Sequence, residues 1–133
     1  MKNTYINLPI RNVAATDKFF AALGMVKNDQ FSSVDTTNAK INENTFVMLL
    51  EDKRFRTFVD GESQVINNNL TIALQFDSKS EVDAFFEKAI SAGATDTTKP
   101  SPESDAFMYG KAFRDINGHI WELFTFIGEV PGN

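Results

Sequence analysis

The residue best placed to do chemistry is a single carboxylate in an otherwise apolar segment. Glu122 lies between Trp121 and Leu123 in the run Ile120–Ile127. A buried, unpaired carboxylate strongly opposes folding, so this side chain should either meet a partner or face a wet cleft. Glu122 could then act as a general base, contact a ligand or bind a metal ion. The alternative is a polar position held by hydrogen bonds inside the fold.

Little else in the sequence suggests catalysis. His119 is the only histidine, and it lies beside a turn, where a histidine is more often a surface or packing residue than a metal ligand. The chain has no cysteine, which excludes disulfides, thiolate metal sites and cysteine nucleophiles. We find no serine–histidine–aspartate arrangement and no glycine-rich phosphate loop. No catalytic residue is assigned, and Glu122 is the remaining candidate.

Alternation along the predicted strands groups side chains that could bind a ligand. In Thr4–Ile10 and Leu70–Phe76, one face is apolar and should pack on helices, whereas the other face is mixed. The mixed faces should line a cleft of aromatic, aliphatic and hydrogen-bonding groups, which is typical of small-molecule sites. The alternative is that these side chains simply fill the interior. The ligand-binding candidates are Tyr5, Asn7, Met48, Thr71, Gln75, Tyr109, Glu122 and Phe124.

The first half of the chain is predicted to contain one helix and four strands. The elements are strand Thr4–Ile10, helix Val13–Leu23, and strands Phe31–Val34, Ala39–Ile41 and Thr45–Leu50. Asn12 can cap the helix and Gly24 can end it. Turns are predicted at Thr36–Asn38 and Asn42–Asn44. Because Phe46–Leu50 is apolar on both faces, the last strand should be central in its sheet.

The second half repeats this order. The elements are strand Leu70–Phe76, a helix with an apolar stripe at Val82, Phe85, Phe86, Ala89 and Ile90, and strands Thr95–Thr98, Phe107–Arg114 and His119–Ile127. Ser78–Glu81 is a capping-box sequence, and Asp115–Gly118 is a hairpin turn. In the connection between the halves, Lys53–Val59 is predicted to form a short helix with Phe55 and Phe58 turned inward.

The repetition defines the fold class. Phe19–Phe20 and Phe85–Phe86 occupy matching places in the two helices. We therefore predict a single α+β domain, in which two paired βαβββ modules form a curved mixed sheet around a cleft. Its predicted parts are module one at about 1–51, a connection at 52–69, module two at about 70–127 and a tail at 128–133.

Three stretches resemble the vicinal oxygen chelate superfamily, which includes glyoxalase I, bleomycin-resistance proteins and extradiol dioxygenases. Asn7–Val13 running into Phe19–Met25 is similar to the family's opening strand and helix, and Glu81–Ala94 to its second helix. Phe113–Leu123 is similar to its "F-x-D-P-D-G-N-x-W-E-L" hairpin. The chain is most similar to glyoxalase-like bacterial proteins. The resemblance implies the paired-module fold, a ligand cleft and a homodimer.

The resemblance also implies a metal site that this sequence mostly lacks. Family enzymes usually hold a divalent metal with four side chains, mostly His and Glu, two from each module, and the metal acts as a Lewis acid. Those positions fall on Tyr5, near Met48, on Thr71 and on Glu122. A thioether suits neither magnesium nor zinc, and neutral hydroxyls are poor ligands. We expect no metal and no other cofactor. The alternative is a divalent metal held by Glu122 with unusual oxygen ligands.

Charge and hydropathy exclude several classes of function. The net charge is −5, and only Lys53–Arg56 groups basic residues, which argues against nucleic-acid binding. No apolar run is long enough to span a membrane. The first residues carry no apolar stretch of the kind found in secretory signals. A cysteine-free chain fits the reducing cytoplasm.

Three functions remain as hypotheses. The first is a metal-free protein of this fold that binds a small organic molecule, to sequester or sense it. The second is a divalent-metal-dependent lyase, isomerase or group-transfer enzyme that uses Glu122. The third is an interaction protein whose dimer is its function. The missing imidazoles favour the first over the second, and the polar set Asn7, Gln75 and Glu122 favours the first over the third.

Overall fold

The computed structural model describes residues 1–61 and 68–132. The chain divides into two compact units, Met1–Ile66 and Asn67–Asn133, and each is described by itself. Each unit combines a mixed β-sheet with a helix packed on one face, so the predicted α+β class is confirmed. Part of the predicted connection 52–69, residues 62–67, lies outside the described residues.

The first unit is a three-stranded sheet with one long helix. Its elements are β1 (Thr4–Ile10), α1 (Val13–Ala22), β2 (Thr36–Asn42), β3 (Thr45–Glu51) and the single turn α2 (Asp52–Phe55). The strand order is β1-β3-β2, with β1 parallel and β2 antiparallel to β3. The central position of β3 is the one that its two apolar faces predict, and Val47 and Leu49 are fully buried.

The start of α1 is held from two directions. The Asn12 side chain accepts a hydrogen bond from the Ala15 amide at 2.8 Å, as its N-cap position predicts. Glu51, at the end of β3, accepts from the Val13 amide at 3.0 Å. These bonds satisfy two helical amides that have no partner within the helix, and they tie the helix to the sheet. Phe19 and Phe20 are then buried in the core.

The prediction for the segment before β3 is wrong in two places. Phe31–Val34 is not a strand, because Asp29–Phe31 is a 3-10 turn whose cap is the Asn28 side chain. Thr36–Asn38 is not a turn but the first half of β2, paired with β3. Threonine is a good strand former, and pairing with a buried central strand outweighs the local turn preference of this segment.

The short helix that follows β3 is also shorter than predicted. It ends at Phe55 rather than at Val59. The Phe58 side chain is 55% exposed and is not turned inward. The Arg54 guanidinium lies 4.8 Å from the centre of the Phe58 ring, so a cation–π contact replaces burial.

The second unit is a four-stranded sheet with one helix. Its elements are β4 (Thr71–Gln75), α3 (Lys79–Ser91), β5 (Thr95–Asp96), β6 (Met108–Arg114) and β7 (Ile120–Phe126). The order is β4-β7-β6-β5, with β4 parallel to β7 and the other pairs antiparallel. Ser78 caps α3 by accepting from the Glu81 amide at 3.2 Å, and Glu81 accepts from the Asp77 amide at 3.0 Å. This differs by one residue from a capping box, in which Glu81 would accept from the cap residue itself.

A buried carboxylate organises the turn between β6 and β7. Asp115 is 5% exposed and accepts from the amides of Asn117 at 2.8 Å and His119 at 3.0 Å, and from the Trp121 indole at 2.9 Å. Gly118 closes the turn with a positive φ of 94°. His119 is buried in this turn, which fits a packing role for the only histidine.

None of the helices in the part of the chain that the structure describes has the length and apolar character needed to cross a membrane.

Candidate functional site

A cavity of about 400 Å³ lies within the second unit, on the sheet face opposite α3. One wall is the outer face of β6 and β7, and the other is the segment from Thr97 to Asp105. Strand alternation explains this placement, because the neighbouring residues Trp121 and Leu123 are buried on the core side. The side chains that line the cavity include Thr71, Thr97, Met108, Ala112, Arg114, Ile120, Glu122 and Phe124.

Glu122 lies on the sheet wall of this cavity between two small residues. Its strand partners are Ala73 on β4 and Ala112 on β6. Glu122 is exposed, and no residue in 1–61 or 68–132 forms a hydrogen bond or ion pair with its carboxylate. The two alanine methyls are too short to cover it. A charged acceptor therefore faces the cavity with its hydrogen-bonding capacity free within the described structure.

Two threonines form the rim of the cavity beyond β5. The Thr97 amide donates to the Ala112 carbonyl at 3.0 Å, and the Thr98 hydroxyl donates to the same carbonyl at 3.2 Å. The Ala112 amide donates to the Thr98 hydroxyl at 3.0 Å. The Thr97 hydroxyl oxygen is buried and has no hydrogen-bond partner within the described residues. The rim is therefore tied to β6 through the backbone of Ala112.

Two of the three cations that line the cavity form hydrogen bonds or an ion pair with other groups of the protein. The Arg114 guanidinium donates to the Gly118 carbonyl at 2.5 Å and to the Asn68 side chain at 2.8 Å. Lys111 forms an ion pair with Asp83 at 3.0 Å. Lys99 is exposed at the edge of the cavity. Neither Arg114 nor Lys111 therefore serves as a counter-ion for the carboxylate on the sheet wall.

Tyr109 lies on the other side of β6, against α3. Its hydroxyl donates to Asp83 at 2.5 Å, and it does not line the cavity. The hydrogen bond to Asp83 raises the pKa of Tyr109, and the same carboxylate raises the pKa of Lys111. In turn the Tyr109 hydroxyl, followed by Lys111, lowers the pKa of Asp83. These shifts stabilise a contact between helix and sheet.

The remaining candidates in the second unit divide between cavity and surface. Thr71, Glu122 and Phe124 line the cavity. Gln75 is exposed and pairs with Phe124 on the neighbouring strand, outside the cavity lining. Sequence analysis overlooked Met108, Ala112, Arg114 and Thr97. The same alternation applied to β6 identifies the first three as one face, whereas no sequence signal marks Thr97.

The candidates in the first unit form an aromatic surface. Tyr5 stacks on Phe46 at 5.4 Å between ring centres, and Phe31 meets both rings edge-on at 5.7 and 5.5 Å. Tyr5 is 46% exposed. Asn7 is exposed and pairs with Met48 on β3. Three rings in contact with one another therefore lie on this face of the first unit.

The donor groups do not fit the metal site that the resemblance implies. Met48 pairs with Asn7 as Glu122 pairs with Ala73, so the two residues hold equivalent positions in the two units. The carried-over set is then a phenol, a thioether, a hydroxyl and one carboxylate. Nowhere in residues 1–61 and 68–132 do three or more His, Cys, Asp or Glu side chains group so that they could hold a metal ion. We derive no chemistry through a metal.

Solved structures of related shape identify the fold. A hypothetical protein from S. aureus is 25% identical, with 94% of each chain covered and a TM-score of 0.80. A glyoxalase/bleomycin resistance protein/dioxygenase family enzyme from Burkholderia phytofirmans is 16% identical, with 96% of this chain and 100% of that chain covered and a TM-score of 0.76. The chain has the glyoxalase fold.

A protein with a different function has a similar structure. The fosfomycin resistance protein FosX from Listeria monocytogenes is 17% identical, with 100% of this chain and 94% of that chain covered and a TM-score of 0.63. No protein-family model matches the sequence, and no curated protein matches it significantly. The resemblance to the vicinal oxygen chelate superfamily is thus confirmed at the level of the fold. At these identities the function must be inferred from this chain's own residues.

Proposed function

We propose that this protein binds a small organic molecule in the cavity of the second unit, without the metal ion that enzymes of this fold usually hold. The observation that carries the proposal is the Glu122 carboxylate, which faces a cavity of about 400 Å³ and has no partner within the described residues. A charged group on a cavity wall with no structural partner is available for recognition. This function is sequestration or sensing of a ligand.

The make-up of the cavity supports a ligand with both apolar and polar parts. Met108, Ile120 and Phe124 supply apolar surface, while Glu122 supplies a charged hydrogen-bond acceptor. Its volume lies within the range of about 300 to 1,000 Å³ that is common for small-molecule sites. A few polar groups on an apolar wall fix the orientation of a ligand, and the apolar wall contributes most of the binding energy.

Small-fragment screening by NMR with a cavity-filling variant tests the proposal. We expect fragments to shift the amide signals of β6 and β7, and Ala112→Leu to abolish those shifts because its side chain enters the cavity. The matched control is Ala84→Leu on the exposed face of α3, which adds the same atoms away from the cavity. Fragment shifts that are unchanged in Ala112→Leu, or that map away from β6 and β7, would refute this site.

The metal-free part of the proposal has its own test. After purification without chelator, elemental analysis should find no stoichiometric zinc, nickel or iron, because Tyr5, Met48 and Thr71 stand where usual ligands would. Near-stoichiometric metal, or lyase, isomerase or group-transfer activity that appears on adding a divalent metal, would establish the metal-dependent alternative instead.

We also propose that the protein is a homodimer of the cytoplasm. Strand β1 ends the first sheet and β4 ends the second, and Phe126 and Ile127 are 41% and 43% exposed after β7. Apolar surface of this kind is often covered by a second copy. Light scattering should give about twice the chain mass of 14.9 kDa at micromolar concentration. A mass equal to one chain would overturn the dimer, and with it the hypothesis of a dimeric interaction protein.

A further inference from the structure

We infer that the ligand of the second unit's cavity carries a protonated amine, which binds the Glu122 carboxylate while an apolar body lies against Phe124 and its neighbours. This inference rests on the proposed function and deepens it by naming the chemical class of the ligand. Three observations carry it. The Glu122 carboxylate has no partner among the described residues, the nearby cations have hydrogen-bond or ion-pair partners of their own, and the equivalent position in the first unit holds a different side chain.

The first observation is the environment of the carboxylate. Glu122 is flanked by Ala73 and Ala112, so neither neighbouring strand supplies a donor side chain. No partner is present within the described residues. A carboxylate accepts hydrogen bonds only, and its strongest partners are charged donors. An ammonium group supplies both the donors and the opposite charge.

The second observation concerns ligands of the opposite sign. Of the cations that line the cavity, Lys111 is paired with Asp83, and Arg114 directs hydrogen bonds to the Gly118 carbonyl and the Asn68 side chain. Lys99 at the exposed edge is screened by water. An anion inside the cavity would also lie near Glu122 and be repelled by it. The carboxylate on the sheet wall therefore favours a cationic ligand at its own position in the cavity.

The third observation is the contrast between equivalent positions of the two units. Met48 stands in the first unit where Glu122 stands in the second, and the contacting rings of Tyr5, Phe31 and Phe46 lie on the same sheet face. The protein thus places an apolar side chain on the face that carries these rings, and a charged one where the face opens on a cavity.

Three probes of one shape but different charge test the inference. Benzylamine, benzyl alcohol and benzoate share a phenyl ring and differ in the polar group, and benzylamine is protonated at neutral pH. Each is titrated into the full-length protein, and the amide signals of β6 and β7 are followed by NMR. We expect benzylamine to bind roughly tenfold or more tightly than the other two, because hydrogen bonds to charged groups are the stronger ones.

The variant Glu122→Gln keeps the shape of the side chain and removes its charge. We expect it to remove the preference for benzylamine, whereas the control Glu129→Gln, an exposed residue after β7, should retain it. The inference is overturned if benzoate or benzyl alcohol binds as tightly as benzylamine, if the preference survives in Glu122→Gln, or if none of the three probes shifts β6 and β7.

The failure of this inference can be separated from the failure of the proposed function. Benzoate or benzyl alcohol that binds in the cavity, and is lost in Ala112→Leu, would leave the small-molecule site in place and remove only the amine. Fragments that never map to β6 and β7 would remove the site itself.

Discussion

The two units share three equivalent strands in the same register but differ in the outer face of the sheet. Asn38 in β2 pairs with Met48, and Ala112 in β6 pairs with Glu122. Asn38 and Ala112 are therefore equivalent. The first unit has an amide side chain at this position, and contacting rings lie on the same face. The second has a methyl group and a cavity.

The asparagine explains how the first face is covered. The Asn38 side chain donates to the Asn28 carbonyl at 2.8 Å and accepts from the Asn28 amide at 2.9 Å. This pair of hydrogen bonds holds the segment after α1 over the sheet, so that Phe31 reaches the rings of Tyr5 and Phe46. Asn38 is 3% exposed, so these hydrogen bonds are protected from water.

The second unit keeps the path of this segment without the side-chain bonds. Val26 bridges to β2 as Thr95 pairs with β6, so Thr97 corresponds to Asn28. The methyl group of Ala112 cannot form a hydrogen bond with Thr97, whose hydroxyl is buried without a partner among the described residues. The two units therefore differ at this position in whether a side-chain amide bonds the segment that crosses the sheet.

The largest predicted effect concerns the strand turns of the two units. Asp115→Ala should lower the free energy of unfolding by about 3 to 5 kcal/mol, because two amides and the Trp121 indole lose a buried acceptor. In the first unit, the Asn42 side chain accepts from the exposed Asn44 amide at 3.1 Å, its one hydrogen bond within residues 1–61 and 68–132, and Asn42→Ala should lose about 1 kcal/mol or less. Urea denaturation measures both. Equal losses would show that the buried turn has no special weight.

The next effect tests the asparagine that covers the first face. Asn38→Ala should lower the unfolding free energy by about 2 kcal/mol, because it removes two hydrogen bonds and leaves the Asn28 amide and carbonyl unsatisfied. The NMR signals of the Phe31 ring should shift as its cover over Tyr5 loosens. Asn44→Ala, at an exposed turn, is the control and should change stability by less than about 0.5 kcal/mol. An Asn38→Ala variant as stable as this control would contradict the account of the covered face.

A smaller effect is expected at the position that differs most in charge. Glu122→Gln should leave the unfolding free energy unchanged or raise it by about 1 kcal/mol or less at neutral pH, since it removes an uncompensated charge. Thermal and urea unfolding measure the change. A loss of several kcal/mol would instead identify Glu122 as the structural partner of a donor, and the cavity would need another polar anchor.

The smallest effect concerns the contact between helix and strand, which both units share in equivalent form. Asp17 on α1 accepts from the Thr37 hydroxyl, and Asp83 on α3 pairs with Lys111 at 3.0 Å. Because the pKa of Asp83 is lowered from 3.8 in the folded state, its contribution is present above that value and is lost as pH falls through the lowered pKa. The pKa of Lys111 is raised from 10.5, so its contribution is lost as pH rises through the raised value.

The measurement for this contact is the unfolding free energy as a function of pH. Asp83→Asn should remove part of the loss of stability below pH 3.8, by about 0.2 to 1 kcal/mol because the pair is half exposed. Asp60→Asn, at an exposed position in the first unit, is the control. An acid profile that is the same in Asp83→Asn and the wild type would remove this contact from the stability of the second unit.

Much of the fold could be predicted because it depends on patterns within a few residues. The Asn12 cap, the apolar stripe that places Val82 and Phe86 in the core, and the two-sided apolar run of β3 each express a local periodicity or a local hydrogen bond. The same alternation correctly placed Thr71 and Glu122 on the outer sheet face of the second unit.

The tertiary structure alone decided what covers each face. Phe31–Val34 has the composition of a strand, yet the Asn28–Asn38 bonds and the pairing of β2 with β3 set its path. The cavity likewise depends on Ala112 meeting the rim around Thr97, residues that no local pattern connects. Periodicity determines which way a side chain points, because it follows from backbone geometry. What that side chain then meets depends on hydrogen bonds between distant segments, which exist only once the chain has folded.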